Sequence, residues 1–170
     1  MKLGDICTRE VILADRAATL QQAARLMREH HVGMLLVTEA GGEGLQIAGV
    51  VTDRDVVVEA VAQGLDVART EVGRLATRER LAALPAEADL GEAIAAMNER
   101  GVRRLLVSGE GGKLHGVVTL DDVLGALGHE MAALAAALRK NIEREAAERP
   151  PLALAPAPAR TLHIPAYAYV

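Results

Sequence analysis

Two short runs of this sequence place a hydroxyl group beside carboxylates, the combination in the chain most able to do chemistry. The first run is Thr52-Asp53-Arg54-Asp55 and the second is Thr119-Leu120-Asp121-Asp122. Paired carboxylates can serve an enzyme as general acid and base. No nucleophile with a neighbouring base and no phosphate loop of the GxxxxGK type accompanies them in the sequence. The pattern therefore argues against an enzyme.

Each run stands where an apolar segment gives way to a helical pattern. Thr52 and Thr119 directly follow the apolar segments, so their hydroxyls and the carboxylates of Asp55 and Asp122 lie at the N-terminus of a helix. Such side chains accept hydrogen bonds from the backbone amides that a helix leaves without a partner. From the residues alone, helix capping and ligand binding are two interpretations of the same pattern.

The two runs belong to an internal repeat. GVVTDRDVV at 49–57 returns as GVVTLDDVL at 116–124, and HHVGMLLV at 30–37 returns as ERGVRRLLV at 99–107. The copies differ in the length of a glycine-rich loop, where insertions are tolerated. Each copy spans roughly sixty to seventy residues, the size of a supersecondary unit rather than of a full domain. The doubled unit predicts two similar lobes.

Hydrophobic spacing predicts the same order of elements in both copies, namely strand, helix, strand, strand, helix. Only residues 65–70 link the copies, too short a segment to separate the lobes, so we expect the lobes to pack face to face. The predicted elements are a helix over 17–29, strands over 32–37 and 47–51, a helix from Thr52 to Gly64, a strand over 81–84, a helix over 90–100, strands over 104–108 and 114–118, and a helix from Leu120.

Composition limits the classes of function. The chain has 170 residues, 51% of them hydrophobic, with a net charge of −4 and a pI near 5.7. This acidic balance and the absence of Trp and Phe argue against nucleic-acid binding. No apolar run is long enough to span a membrane and the N-terminus has no apolar leader, so we expect no membrane partner and a cytoplasmic location. Cys7 is alone and the histidines are scattered, which predicts no metal site.

The residues after Gly128 differ from the repeats. Residues 129–149 carry a narrow apolar stripe with charges on the opposite face, which predicts a helical extension suited to a partner helix. Residues 150–170 are rich in proline, which opposes a regular helix and favours extended structure. We expect this tail either to be flexible or to lie along a groove or sheet edge of a neighbouring subunit.

Two copies of Gly-hydrophobic-hydrophobic-Thr-x-x-Asp, each preceded by a Val-x-x-Leu-Leu-Val strand, resemble the CBS domain pair, named for cystathionine β-synthase and also called the Bateman module. The resemblance covers about residues 1–128. It implies an α+β (mixed α/β) fold built from a tandem pair of CBS β-α-β-β-α repeats with pseudo-two-fold symmetry. The divisions would be repeat 1 over 1–66, repeat 2 over 67–128, a helical extension over 129–149 and a Pro-rich tail over 150–170.

The resemblance also implies a ligand. Such modules bind adenosyl compounds (AMP, ADP, ATP, S-adenosylmethionine or NAD) in clefts between the repeats, as regulatory ligands rather than required cofactors. The aspartate at the position of Asp55 or Asp122 accepts hydrogen bonds from ribose hydroxyls, and the threonine at the position of Thr52 or Thr119 reaches the sugar or phosphate. A carboxylate suits this role because its two oxygens can accept both hydroxyls of a cis-diol.

The two clefts implied by the resemblance are unequal. The second copy carries Arg103 and Arg104 where the family places a phosphate-contacting cation, whereas the first copy has the uncharged Gly33 and Met34 there. Neighbours on a strand point to opposite faces, so we expect only one of the two arginines in a given cleft. The main cleft would be formed by Thr8, Ile12, Val32, Gly33, Met34, Arg103, Arg104, Thr119 and Asp122. The second cleft would be formed by Thr52, Arg54, Asp55, Thr77, Leu81 and Val102.

We therefore expect a non-catalytic regulatory or sensor protein that binds an adenosyl ligand and signals its occupancy through a conformational change. The family resemblance also implies a disc-like homodimer, with candidate contacts on the apolar helix faces at 56–61 and 123–127 and added area from the helix over 129–147. An unidentified protein partner is expected as well. The alternative is a ligand-free module for oligomerisation or protein docking. An enzyme acting on nucleotides would need catalytic groups that the sequence lacks.

Overall fold

Apolar segments in the first half of the chain form a three-stranded sheet with its own helices. The computed structural model describes residues 1–42, 44–76 and 81–149. The elements of the first half are α1 (Leu3–Ile6), β1 (Leu13–Asp15), α2 (Leu20–His30), β2 (Met34–Gly41), β3 (Gly44–Thr52) and α3 (Asp53–Asp55), which continues as a π-helical segment, Val56–Val61. In the sheet, β1 runs parallel to β2, and β2 runs antiparallel to β3.

The second half of the chain has the same topology. Its elements are a 3-10 turn at Val72–Arg74, β4 (Ala83–Pro85), α4 (Leu90–Arg100), β5 (Arg104–Ser108), a second 3-10 turn at Glu110–Gly112, β6 (Leu114–Thr119) and α5 (Leu120–Glu148). Here β4 runs parallel to β5, and β5 runs antiparallel to β6. The tandem β-α-β-β-α order and the mixed α+β class predicted from the sequence are confirmed.

Some element boundaries differ from the sequence prediction. α2 begins at Leu20 rather than at residue 17 because Thr19 caps it. The Thr19 hydroxyl accepts from the amide of Gln22 (3.2 Å), and the Thr19 amide donates to the Gln22 side chain (2.8 Å). β2 continues past Val37 to Gly41, since it pairs with β3 to the end of the hairpin. The sequence did not predict α1, because four residues are too few to show a helical period.

Each sheet buries one face under the helices of its own repeat. In the first repeat, Leu35 and Val37 of β2 share a core with Leu20, Ala23 and Met27 of α2. Equivalent positions build the second core, which contains Leu105, Val107, Val118, Ala93 and Met97. The stripes at residues 20–27 and 90–97 are therefore core-facing, as their spacing predicts.

The other face of each sheet is turned toward the other repeat. Leu36 pairs with Val50 across β2 and β3, and Leu106 pairs with Val117 across β5 and β6. Because side chains alternate along a strand, these four point away from the helices of their own repeat. Leu36, Val50 and Val117 are nonetheless buried, and none of them belongs to a helix-covered core. The sheets therefore face each other, as the short linkage predicts.

Segments at the ends of the repeats pack across this boundary. Leu3 is fully buried in the core of the second repeat, and its amide donates to the carbonyl of Ala88 (2.9 Å). Thr8 exchanges two backbone hydrogen bonds with Val117 of β6, each 2.9 Å long. In the other direction, Val72 is buried in the core of the first repeat. The predicted boundary between residues 66 and 67 thus separates the two repeats in the sequence only. In the structure, a segment of each repeat packs in the core of the other.

The described chain divides into two units, residues 1–128 and a second unit that begins at His129. The described part of the second unit is helical to the end of α5, where the sequence predicts a helical extension. Its large apolar side chains are all more than half exposed: Met131, Leu134, Leu138 and Ile142. The predicted Pro-rich tail, residues 150–170, lies outside the described residues.

Candidate functional site

The Thr-x-x-Asp run of the second repeat forms a hydrogen-bonded cap at the start of α5. The Thr119 hydroxyl donates to Oδ2 of Asp122 (2.7 Å), and the Thr119 amide donates to the same oxygen (2.8 Å). In return, the Asp122 amide donates to Oγ1 of Thr119 (3.2 Å). Both bonds to the carboxylate use Oδ2, so Oδ1 of Asp122 makes no hydrogen bond within the described part of the chain.

The first repeat forms the same cap at the start of α3. The hydroxyl and the amide of Thr52 donate to Oδ2 of Asp55 (2.7 and 3.0 Å), and the Asp55 amide donates to Oγ1 of Thr52 (3.2 Å). The capping interpretation is therefore confirmed at both runs. It accounts for a threonine and an aspartate at this spacing without any ligand, so a ligand-binding role would be additional to the cap.

One large cleft lies between the two repeats. Its volume is about 840 Å³, a size typical of small-molecule sites. The first repeat contributes the ends of β2 and β3 with the start of α3, and the second contributes the end of α4 with β5 and β6. The lining residues are Met34, Val50, Thr52, Asp53 and Arg54 from the first repeat, and Leu81, Ala82, Arg100, Gly101, Val102, Arg103, Arg104, Leu105, Leu106 and Val117 from the second.

Most residues predicted for the second cleft line this cavity. They are Thr52, Arg54, Leu81 and Val102. Asp55 is held beside the cavity through its cap on Thr52. Thr77 lies outside the described residues. The structure thus brings together residues of both repeats that are far apart in sequence.

Three residues predicted for the main cleft also line this cavity: Met34, Arg103 and Arg104. Only one of the two arginines was expected in a given cleft, but both line this one. Arg103 precedes β5, which begins at Arg104, so the alternation of side chains along a strand does not separate them. The cations of the second repeat therefore lie at the same cavity as Thr52 of the first.

The remaining residues predicted for the main cleft do not line this cavity. They are Thr8, Ile12, Val32, Gly33, Thr119 and Asp122. The backbone pairing of Thr8 with Val117 places Thr8 beside β6, the strand that ends at Thr119. Gly33 instead lies beside the first cap, where its carbonyl accepts from the amide of Asp53 (3.2 Å). A cleft that joins all six residues remains a prediction.

Four arginines give the cavity a positive lining. Arg54, Arg100, Arg103 and Arg104 line it together with one acid, Asp53. Within the described residues, none of the four guanidinium groups forms an ion pair or a hydrogen bond. Unpaired guanidinium groups attract anions, and their planar donors match the oxygens of a phosphate. We call this cavity the arginine cleft, and its chemistry suits an anionic ligand.

Sequence reasoning missed Arg100 and Asp53 as site residues. Arg100 is the last residue of α4, a place where the helix dipole by itself favours a cation. Asp53 lies in the first turn of α3, where acids are equally ordinary. The signal that could have identified Arg100 is its nearness in sequence to Arg103 and Arg104, with only Gly101 and Val102 between.

Neither a membrane-spanning helix nor a cluster of metal ligands is found among the described residues. No helix of the described residues is long and apolar enough to cross a membrane. In residues 1–42, 44–76 and 81–149, no three histidine, cysteine, aspartate or glutamate side chains cluster so that they could hold a metal ion.

A family model and curated proteins match the repeats. The model of the CBS domain matches residues 3–61 and again residues 72–129. Hypoxic response protein 1 of Mycobacterium tuberculosis is 36% identical over 119 residues, which are 70% of this chain and 80% of that protein. An uncharacterised protein of Methanopyrus kandleri is 29% identical over 124 residues, covering 73% of this chain and 61% of its own length.

Solved structures match the same region. The crystal structure of hypoxic response protein I with two coordinated zinc ions has a TM-score of 0.59 and 34% identity, covering 73% of this chain and 97% of that one. A conserved protein of Pyrococcus horikoshii has a TM-score of 0.64 and 30% identity, with coverages of 74% and 90%. A putative signal-transduction protein with CBS domains from Burkholderia ambifaria has a TM-score of 0.61 and 29% identity, with coverages of 70% and 83%.

Proposed function

Because the chain belongs to the CBS domain family, we propose that it is a non-catalytic regulatory protein that binds an adenine nucleotide in the arginine cleft. CBS domain proteins are generally regulatory and bind ligands. The nucleotide would lie between the two repeats, so that its occupancy changes their relative geometry and is signalled to a partner protein.

The observation that carries this proposal is the set of four arginines around a cavity of about 840 Å³, none of them paired with another described residue. Arg54 comes from the first repeat and the other three from the second, so a bound phosphate chain would contact both repeats at once. Guanidinium groups bind phosphate oxygens in pairs of parallel hydrogen bonds. Ligand binding at this cavity would therefore be coupled to the relative positions of the two repeats.

The positive charge of the arginine cleft predicts an order of affinity among the adenosyl compounds. AMP, ADP, ATP and NAD carry phosphate groups, which the positive lining attracts. S-adenosylmethionine carries a sulfonium and an ammonium cation against a single carboxylate, so its net charge is positive and a lining of arginines repels it. The CBS domain of a bacterial CNNM/CorC Mg²⁺ transporter, which shares the fold at a TM-score of 0.62 and 23% identity, was solved in complex with ATP. We therefore propose ATP or ADP as the preferred ligand.

Within the arginine cleft, Thr52 would contact the sugar or a phosphate and Asp55 would accept a ribose hydroxyl. The apolar part of the lining, which includes Leu81, Val102 and Val117, would hold the adenine. A second ligand would bind at the other cap, where Asp122 has one carboxylate oxygen without a hydrogen bond in the described chain. Thr8, Ile12, Val32 and Gly33 would complete that cleft.

The proposal includes a homodimer and a cytoplasmic location. Two segments of residues 1–128 expose large apolar side chains, which disfavours a lone chain in water. A hexameric CBS-CP12 protein of a bloom-forming cyanobacterium, with a TM-score of 0.63 and 25% identity, shows that proteins of this fold assemble. The exposed side chains are Val57, Val58 and Val61 in the π-helical segment and Leu120, Leu124 and Leu127 at the start of α5.

One observation favours the alternative, a ligand-free module for oligomerisation or docking. Within each cap, the threonine and the aspartate form hydrogen bonds with each other without a ligand. The two caps are Thr52–Asp55 and Thr119–Asp122. In that case the arginine cleft would bind an acidic segment of a protein rather than a nucleotide.

Calorimetric titration with AMP, ADP, ATP, NAD and S-adenosylmethionine tests the proposal. We expect saturable binding of ATP or ADP, weakened at least about tenfold in Arg103→Ala/Arg104→Ala. The control is Arg25→Ala/Arg28→Ala, which makes the same charge change on exposed positions of α2. Asp55→Ala and Asp122→Ala then assign each binding event to a cleft. If no compound gives heat or raises the melting temperature, the ligand-free module is the correct function.

A further inference from the structure

The second unit exposes an apolar stripe along α5. In residues 129–148 its members are Met131, Leu134, Leu138 and Ile142, which are 67%, 65%, 61% and 59% exposed. Their spacing of three or four residues places them on one face of the helix. Most of the stability of a helix in a protein comes from packing of its apolar face, so an uncovered stripe on a helix of 29 residues favours a partner. We call this set the α5 stripe.

We propose that the α5 stripe is covered by the same stripe of a second copy, with the two helices antiparallel. Centred between Leu134 and Leu138, such a pair sets Leu134 of each copy against Leu138 of the other. Met131 of each copy then lies near Ile142 of the other. All four side chains of both copies are buried in this arrangement, as knobs packed between the residues of the facing helix.

The charges beside the stripe select this arrangement. Glu130 and Arg144 are fourteen residues apart, close to four helical turns, so they lie on the same flank of the stripe. In an antiparallel pair the same flanks face each other, and Glu130 of each copy lies opposite Arg144 of the other. The pair therefore contains this attraction twice. Arg144 also lies 3.9 Å from Glu148 of its own helix, and a guanidinium group has enough donors for both.

A parallel pair would lack this complementarity. It would set each residue beside its own copy, so that Glu145, one heptad after Leu138, would face a second Glu145 along the seam. Like charges at such a position destabilise the pair. In the antiparallel pair, Glu145 lies beyond the Met131 end of the partner's stripe and keeps its own contact with Arg149 (3.4 Å). Ala135 and Ala137 beside the stripe are small enough to let the two helices approach.

Sedimentation equilibrium of the full chain tests the proposal. We expect Leu134→Glu/Leu138→Glu to halve the weight-average mass or to raise the dissociation constant of self-association at least about tenfold. The matched control is Ala133→Glu/Ala136→Glu, which adds the same charges to exposed positions on the opposite side of α5. Far-UV circular dichroism checks that both variants keep their helix. Equal association of the two variants, or a monomeric unmodified chain, would overturn the proposal.

Disulfide trapping tests the orientation, in a Cys7→Ala background. An antiparallel pair predicts that Met131→Cys mixed with Ile142→Cys forms a disulfide between the two variants, whereas Met131→Cys alone forms none. Residues at the two ends of a stripe cannot approach their own copies within disulfide range in that arrangement. A disulfide formed by Met131→Cys with itself would show a parallel pair and overturn the assignment.

ATP titration of Leu134→Glu/Leu138→Glu separates this contact from nucleotide binding, which we expect to be unchanged.

Discussion

Arg104 lies directly opposite Thr119 across β5 and β6, at the position that Met34 takes opposite Thr52 in the first repeat. The two repeats therefore share a backbone pattern but differ in charge at this point. Arg104 also lines the arginine cleft, whose threonine is Thr52 of the other repeat. Arg104 of the second repeat thus lies at the same cavity as Thr52, the capping residue of the first repeat. No equivalent cation stands at Met34, so the two halves of the module are chemically unequal.

Arg104 is expected to contribute strongly to nucleotide binding. Arg104→Ala should weaken ATP binding about tenfold or more, because a hydrogen bond between charged groups contributes about 1.5–3 kcal/mol. Arg104→Lys should recover part of the affinity, since it keeps the charge but loses the planar pair of donors. Calorimetric titration measures both. An unchanged affinity of Arg104→Ala for ATP, with Arg25→Ala as control, would remove Arg104 from the site.

Nucleotide affinity should depend on salt in proportion to phosphate charge. Ions screen charges over about 8 Å at physiological ionic strength and over less at higher salt. Raising NaCl from about 0.05 M to about 0.5 M should therefore weaken ATP binding more than AMP binding. Titrations at several salt concentrations give the slopes, and Arg103→Ala/Arg104→Ala should show a shallower one. Equal slopes for AMP and ATP would mean that the arginines do not contact the phosphates beyond the first.

The sequence predicted the parts of the structure that depend on local spacing. Short continuous apolar runs located β2, β3, β5 and β6, and helical period located α4. The Thr-x-x-Asp pattern located the caps on α3 and α5. These features need only neighbours within a few residues, which the sequence displays directly. The internal repeat in turn predicted that the chain forms two similar lobes.

The sequence could not show contacts made between distant segments. Leu3 belongs to the first repeat in the sequence but packs in the core of the second repeat. No pattern in residues 1–8 predicts this contact. Arg100 has an ordinary place at a helix end and becomes a cleft residue only when the repeats face each other. The grouping of Arg103 and Arg104 with Thr52 likewise depends on how the two sheets approach, which local spacing does not encode.

Leu3 should be a main support of the N-terminal segment. Its side chain is fully buried against the second repeat, so Leu3→Ala should lower the free energy of unfolding by about 2–5 kcal/mol. Leu45→Ala is the matched control, because Leu45 is 70% exposed. Urea unfolding followed by circular dichroism compares the two. A loss of less than about 1 kcal/mol for Leu3→Ala would show that the segment is not docked as described.

Gly116 should tolerate no side chain. A Cβ atom there would lie 2.6 Å from the carbonyl oxygen of Thr8 and 2.9 Å from Sγ of Cys7. Gly116→Ala should therefore force the segment around Thr8 away from β6 and lower the free energy of unfolding by about 1–3 kcal/mol. Gly125→Ala is the control within α5, where nothing lies within 4 Å of the added atom and alanine should stabilise the helix by up to about 1 kcal/mol. Urea unfolding measures both, and equal effects of the two changes would contradict the close approach.

Asp122 allows the cap and the proposed ligand contact to be separated. Asp122→Ala removes the acceptor of two hydrogen bonds from Thr119 and should lower the free energy of unfolding by about 1 kcal/mol. Asp121→Ala is the matched control, because Asp121 is exposed in the same first turn and makes no hydrogen bond through its side chain among the described residues. Urea unfolding measures the cap, and calorimetric titration of the same proteins measures the ligand contact.

If Asp122→Ala costs stability but keeps every nucleotide-binding event, Asp122 is a cap alone and the second ligand assigned to it does not exist. If one binding event disappears from Asp122→Ala and persists in Asp121→Ala, the carboxylate serves both the helix and the nucleotide.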